Sequence, residues 1–290
     1  MPSDVTMKIE LASSYGFCFG VKRAIRIAEE HRGSKTYGPL IHNKDEINRL
    51  KEGYGIGLAE SLDEIRSGES IVIRTHGIPK QELAQLKAQN NTIIDATCPY
   101  VTTPQKIVEE MSQKGYSIVV FGDANHPEIR GVVSYAEDPR NVFVVLSPEE
   151  LDGLPILSKV AVVAQTTRKP EDFMKVVNAL ILNHKEVRVF NTICNATFEN
   201  QDAAAELAKR ADVMVVIGGK HSSNTKQLHS ICKTYCADSY LVENEQELQG
   251  AWFEGKKLCG ISAGASTPDW IVQNVIDRIK VLTEQTRGEA

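Results

Sequence analysis

Short apolar, β-branched runs alternate along this chain with longer segments of helical period. "SIVIRT", "YSIVVFG", "VAVVAQ" and "DVMVVIGG" are continuous apolar stretches closed by polar residues or glycine, the pattern of strands buried on both faces. Between them, Val21, Ala24, Ile25 and Ala28 recur on one helical stripe, as do Ala203, Ala204, Leu207 and Ala208. "NNTIIDAT" predicts a strand, and "PYVTTPQKIVEEMSQKG" after it predicts a helix with Thr103 as N-cap and Pro104 at the first helical position. "VRVFNTIC" followed by "NATFENQDAAAELAKR", and "MKIELASSYGFC" followed by the stripe from Val21, repeat that strand-to-helix unit. Residues 198–201 are less regular, and a last helix is expected over 271–285. Strands alternating with helices predict parallel sheets covered by helices, an α/β architecture.

A cysteine stands at each of these three junctions: Cys18, Cys98 and Cys194. Downstream of each, a strand ends in a polar site, at His42, at His126 with Glu128, and at Ser222, Ser223 and Asn224. A further strand and polar site follow, at His76, at Thr166 and Thr167, and at Ser266. The period, roughly 80 to 100 residues, is too long for a solenoid repeat and suits a small α/β domain. Three pseudo-equivalent α/β/α domains with small, mainly parallel sheets are expected, over 1–98, 99–193 and 194–290. In such sheets ligands bind beyond the carboxyl ends of the strands, where all of these residues lie, so the three thiols are expected to converge on a shared centre. "NHPE" and "STPDW" add helix starts, with Pro127 and Pro268 at first helical positions and N–H groups free to meet an anion.

Composition narrows the function. The formal net charge is −5 with signs well mixed, so neither a nucleic-acid footprint nor a polybasic membrane surface is predicted, and any anion must be held locally. "MPSDVTMKIE" lacks the basic and apolar regions of a signal peptide, and no run approaches the length of a membrane span. A cytoplasmic location with reduced thiols is expected, and six cysteines are too sparse for a disulfide scaffold. No G-x-G-x-x-G follows a strand and no G-x-x-x-x-G-K-[ST] occurs, so neither a dinucleotide nor a nucleoside triphosphate site is signalled.

Structural zinc usually takes four ligands with close C-x-x-C spacings, which this chain lacks. Three cysteines suit an iron–sulfur cluster with one iron left open to substrate, and the glycines flanking Cys18 allow close backbone approach. The plainer alternative is three buried apolar cysteines. His42, His76 and His126 have a backbone-satisfied alternative, Glu128 could simply complement a helix N-terminus, and Ser222, Ser223, Asn224 and Ser266 have N-capping as theirs. Cys232, Cys236 and Cys259 read as packing residues, with a second metal site involving His229 as the alternative for the first two.

"GFCFGVKRA", "GPLIHN", "RTHGIP", "DATCPYV", "NHPE", "AQTT", "NTICNAT" and "SAGASTPDW", in this order from about Ser13 to Trp270, resemble the 4-hydroxy-3-methylbut-2-enyl diphosphate reductase family (IspH, or LytB). The resemblance implies the last step of the non-mevalonate isoprenoid pathway: reductive removal of the allylic hydroxyl of (E)-4-hydroxy-3-methylbut-2-enyl diphosphate, giving isopentenyl and dimethylallyl diphosphates. It implies a [4Fe–4S] cluster on Cys18, Cys98 and Cys194 with one open iron. It further implies a diphosphate pocket of His42, His76, His126, Ser222, Ser223, Asn224 and Ser266, with Glu128 as proton donor and Thr166 its partner in the relay. Without a nucleotide motif, electrons are expected from a ferredoxin or flavodoxin. A hydro-lyase or quinolinate synthase could also use three cysteines, but their carboxylate substrates favour arginine clamps. A cluster carrier or redox sensor would not need Glu128 and the polar residues around an open iron.

Overall fold

The structure, a computed structural model, describes residues 7–41 and 43–288, with the side chains of Ser223 and of 285–288 outside the description. Its contacts divide the chain into two units. One comprises Met1–Lys22, Ile41–Asn48 and Asn195–Ala290, the other Arg23–Leu40 and Arg49–Cys194.

The second unit holds two four-stranded parallel sheets. The first is built from β2 (Lys35–Tyr37), β3 (Gly57–Ala59), β4 (Ser70–Ile73) and β5 (Thr92–Asp95), in the order β3-β2-β4-β5. The other uses β6 (Ser117–Phe121), β7 (Val142–Val145), β8 (Lys159–Ala164) and β9 (Glu186–Val189), in the order β7-β6-β8-β9. Every residue of β6 is buried, as is all of β8 beyond Lys159, which is why these strands read as unbroken apolar runs.

The first unit has one sheet, β1 (Lys8–Leu11), β10 (Val213–Ile217), β11 (Ser239–Val242) and β12 (Leu258–Ala263), parallel in the order β1-β12-β10-β11. Alternate residues of β10 serve two cores. Val213, Val215 and Ile217 pack with Ile271, Val272, Val275 and Ile279 of α9 (Asp269–Gly288). Met214 and Val216 pack with Ala204 and Leu207 of α7 (Ala196–Ala208) and Leu228 and Cys232 of α8 (Ser223–Tyr235). Gly260 makes that second packing feasible, since a Cβ there would lie 2.9 Å from Leu207 Cγ and closer still to Met214.

The three sheets share one plan: a strand leading to a cysteine lies at an edge, beside the third strand of its set. β5 leads to Cys98 and β9 to Cys194, each closing the set that precedes it in sequence. β1, which leads to Cys18 and lies within residues 1–98, pairs with β12. A threefold sequence period has no intrinsic starting point, so periodicity alone does not reveal that the set of β10, β11 and β12 takes its edge strand from the N-terminal part of the chain.

Helix starts differ from the pattern in detail. α4 runs Pro99–Gln113 with Cys98 as N-cap and Pro99 in its first turn, so Pro104 lies inside the helix, one turn beyond its expected place. Pro99 suits a first turn as well as Pro104 does, and Thr102 and Thr103 donate their hydroxyls to the Pro99 carbonyl (3.0 and 2.9 Å) rather than capping. Residues 198–201 are regular, within α7.

Candidate active site

All three junction cysteines are half-buried, whereas Cys232, Cys236 and Cys259 are buried. Burial pushes the Cys232 and Cys259 thiols up to about 12 and raises that of Cys236, so these three are poor thiolates and belong to the packing. Cys98 N–H donates to the Thr75 carbonyl (3.0 Å) and Cys194 N–H to the Thr166 carbonyl (2.7 Å), each beyond the end of the neighbouring strand. Cys18 immediately precedes α1 (Phe19–Glu30), and Lys22 N–H donates to its carbonyl (2.9 Å). Gly16 has φ of 68°, the left-handed region, and a Cβ there would stand 3.1 Å from the Thr267 carbonyl oxygen.

Cys98 and Cys194 belong to the second unit and Cys18 to the first. Among the described residues no three His, Cys, Asp or Glu side chains are grouped closely enough to hold a metal ion. The donor set nevertheless has the chemistry a cluster needs: half-buried thiols at strand-to-helix junctions, set apart from three buried ones.

The second unit brings several predicted residues together. His126 is the N-cap of α5 (Pro127–Val133), its Nδ1 accepting from Glu128 N–H at 3.2 Å, so a neutral His126 carries its proton on Nε2. The half-buried His76 ring meets His126 edge to face, with centroids 5.5 Å apart. Glu128 is 1% exposed, and Thr166 donates to both its oxygens, N–H to Oε1 and Oγ1 to Oε2, each at 2.8 Å. Burial raises the Glu128 carboxyl above the usual range, and the two Thr166 bonds oppose that rise. Thr167 lies next in the chain and is exposed.

The first unit carries the remaining predicted residues. Ser222 is the N-cap of α8, its Oγ accepting from Thr225 N–H at 3.3 Å. Ser223 is the first residue of that helix. Asn224 has both amide atoms buried without a hydrogen-bond partner, an arrangement that costs free energy unless a ligand satisfies it. Ser266 is half-buried, in the turn between β12 and α9. His42 lies outside the described residues.

Residues 9–280 match the family described as LytB protein. The chain belongs to this family. A relative from Sulfurovum sp. (strain NBC37-1), named 4-hydroxy-3-methylbut-2-enyl diphosphate reductase, is 83% identical over 95% of this chain and all of its own. One of the same name from a Nitratiruptor species is 67% identical over 95% of this chain and 99% of its own. A solved structure of (E)-4-hydroxy-3-methyl-but-2-enyl diphosphate reductase, described as the terminal enzyme of the non-mevalonate pathway, is 42% identical with a TM-score of 0.78, over 95% of this chain and all of that one. A solved structure of the E-1-hydroxy-2-methyl-but-2-enyl-4-diphosphate reductase from Plasmodium falciparum is 26% identical with a TM-score of 0.81, over 94% of this chain and 87% of that one.

Two features of this LytB-family chain escaped the sequence pattern. Arg23, inside "GFCFGVKRA", donates through Nη1 to the Thr97 carbonyl (3.1 Å) and through Nη2 to that of Asp95 (3.3 Å), fixing the segment that ends in Cys98. Gln165 Oε1 accepts from Asp123 N–H (3.0 Å) and Arg168 Nε (3.2 Å), holding the loop before His126. A single polar residue on a loop or helix has no periodic signal by which to find it.

Proposed function

We propose that this chain reduces (E)-4-hydroxy-3-methylbut-2-enyl diphosphate to isopentenyl and dimethylallyl diphosphates, as the names of its relatives suggest. The observation that carries the reading is the buried Glu128 held on both oxygens by Thr166, whose own carbonyl accepts from Cys194 N–H. This chain of bonds runs from a proposed cluster ligand to a carboxyl that burial keeps toward its proton-carrying form.

The reaction breaks the allylic C–O bond and consumes two electrons and two protons, releasing water. A [4Fe–4S] cluster held by Cys18, Cys98 and Cys194, with one iron free of protein ligands, would supply the electrons and Lewis acidity at the hydroxyl. Glu128 supplies the proton for the departing oxygen, and the Thr166 hydroxyl orients the carboxyl and relays that proton by taking it up on Oγ1 as it gives up its own. The second proton can enter at either end of the allylic system, giving two products. Asn224, with the N-terminus of α8 beside it, offers amide and N–H donors to the diphosphate. Ser222, Ser223, Ser266 and the imidazoles of His42, His76 and His126 complete the proposed pocket.

Ferredoxin or flavodoxin is the proposed electron donor, and the cytoplasm the proposed location. Among the described residues no helix is long and apolar enough to cross a membrane. The three-repeat division at 1–98, 99–193 and 194–290 is part of the same proposal.

The test is anaerobic: purified holoprotein is mixed with the allylic diphosphate and dithionite with a viologen mediator, and products are separated by chromatography. Both isoprenoid diphosphates should appear, with close to four irons and four sulfides per chain. Intact substrate in the presence of a full cluster would overturn the assignment.

A further inference from the structure

Glu46 is a buried acid that the reaction does not use. It is 1% exposed and lies in the first turn of α2 (Lys44–Tyr54). Asn43 stands in the capping position, its Oδ1 accepting from Glu46 N–H at 2.9 Å and its carbonyl from Ile47 N–H at 3.1 Å. In a capping box the acid three residues on turns back to its own helix start. Here Glu46 Oε2 accepts from Trp270 Nε1, at 2.8 Å and 224 positions away in sequence.

Trp270 is 40% exposed and lies in the first turn of α9, four residues after Ser266. The same turn borders the loop before Cys18, since a Cβ on Gly16 would stand 3.1 Å from the Thr267 carbonyl oxygen and 3.7 Å from Asp269 Oδ1. Ile41–Asn48 groups by its contacts with the first unit, although the chain on both sides of it groups with the second. The Glu46–Trp270 bond ties this short segment to the rest of that unit.

We propose that Glu46 and Trp270 are a positioning pair for the diphosphate site. The pair fixes the first turn of α2, with Asn43 that caps it, to the first turn of α9, and with it Ser266. It rests on the functional reading above and acts through those segments, without touching the reacting atoms.

The test compares Trp270→Phe, which keeps a ring but loses the N–H, with Glu46→Leu, Glu46→Gln and the double variant Glu46→Leu/Trp270→Phe. Three quantities are measured on anaerobic holoprotein: KM and kcat for the allylic diphosphate, calorimetric affinity for inorganic pyrophosphate, and hydrogen exchange of the Glu46 and Ile47 amides. Trp270→Phe and Glu46→Leu should each raise KM and weaken pyrophosphate binding about five- to tenfold, the scale of one ordinary hydrogen bond, with kcat within about twofold and faster exchange at both amides. The double variant should be no worse than the weaker single one, and Glu46→Gln, which keeps an acceptor, should stay within about twofold of wild type.

Unchanged KM and exchange in Trp270→Phe, additive losses in the double variant, or a fall in kcat in place of the rise in KM would each overturn the pair. If Glu46→Leu does not fold, Trp270→Phe and Glu46→Gln decide by the same criteria. A wild-type holoprotein that turns over no allylic diphosphate refutes the functional reading instead, and the exchange comparison then judges the pair independently.

Discussion

Thr166 donates to both oxygens of Glu128, from its N–H and from its hydroxyl, each at 2.8 Å. One residue therefore sets both the orientation of the carboxyl and part of its acidity. The backbone bond holds whatever the side chain at 166, while the hydroxyl bond can be removed separately, so the two contributions can be told apart.

Glu128→Gln keeps the size and most of the hydrogen bonding but cannot deliver a proton. The protein should remain brown, bind substrate and perturb its cluster spectrum, yet turn over at least about a hundredfold slower, the range of a positioned acid. Capping or dipole effects alone are worth about 0.3 to 1 kcal/mol, far less than the roughly 3 kcal/mol that a hundredfold loss represents. Near-normal turnover would make Glu128 structural.

Thr166→Val removes the hydroxyl bond and leaves the N–H bond. Because the hydroxyl bond lowers the Glu128 pKa, its loss should raise it further. Turnover should fall about tenfold or more and the basic limb of the kcat profile should move to higher pH, while Thr166→Ser should stay close to wild type. A basic limb that shifts down would contradict the hydrogen-bond assignment.

The raised Glu128 pKa also predicts a stability slope. Its folded pKa lies above the ordinary 4.5, so the folded state holds this proton more tightly than the unfolded state. The contribution is fully present below about pH 4.5 and is lost as pH rises from there through the folded pKa. Urea melts of wild type minus Glu128→Gln across that window should show wild-type stability falling with pH relative to the variant. A difference that is flat or rises would refute it.

Substitution of Cys18, Cys98 or Cys194 with Ala should each abolish the brown absorption of anaerobically purified protein. Cys232→Ala and Cys259→Ala should keep the colour but lower stability, because each empties part of a buried core. A colourless Cys259→Ala beside a brown Cys18→Ala would overturn the ligand set.

Electron supply gives a separate check. Reduced ferredoxin, flavodoxin or a small-molecule reductant should support turnover, and NADPH alone should not. Sustained activity with NADPH and no mediator would show that a nucleotide site had been missed.

Strand and helix order was legible in the linear pattern because burial is one-dimensional information: β6, β8 and β10 lie between two packed layers, so beyond Ser117 and Lys159 at the starts of the first two their residues are apolar. The recurrence of cysteine and polar residues at strand ends was legible too, since the same α/β geometry places them there each time, and it carried the family resemblance. Pairing was not legible. β1 joins β12, across almost the whole chain, because a parallel edge accepts any strand whose crossover reaches it, and no residue in "KIEL" names its partner. Pro104 sits inside α4 because Pro99 starts the helix one turn earlier, a choice between two favourable starts that packing decides. The unsatisfied amide of Asn224 and the bond from Trp270 to Glu46 depend on where side chains meet in space, and only the tertiary structure sets those meetings.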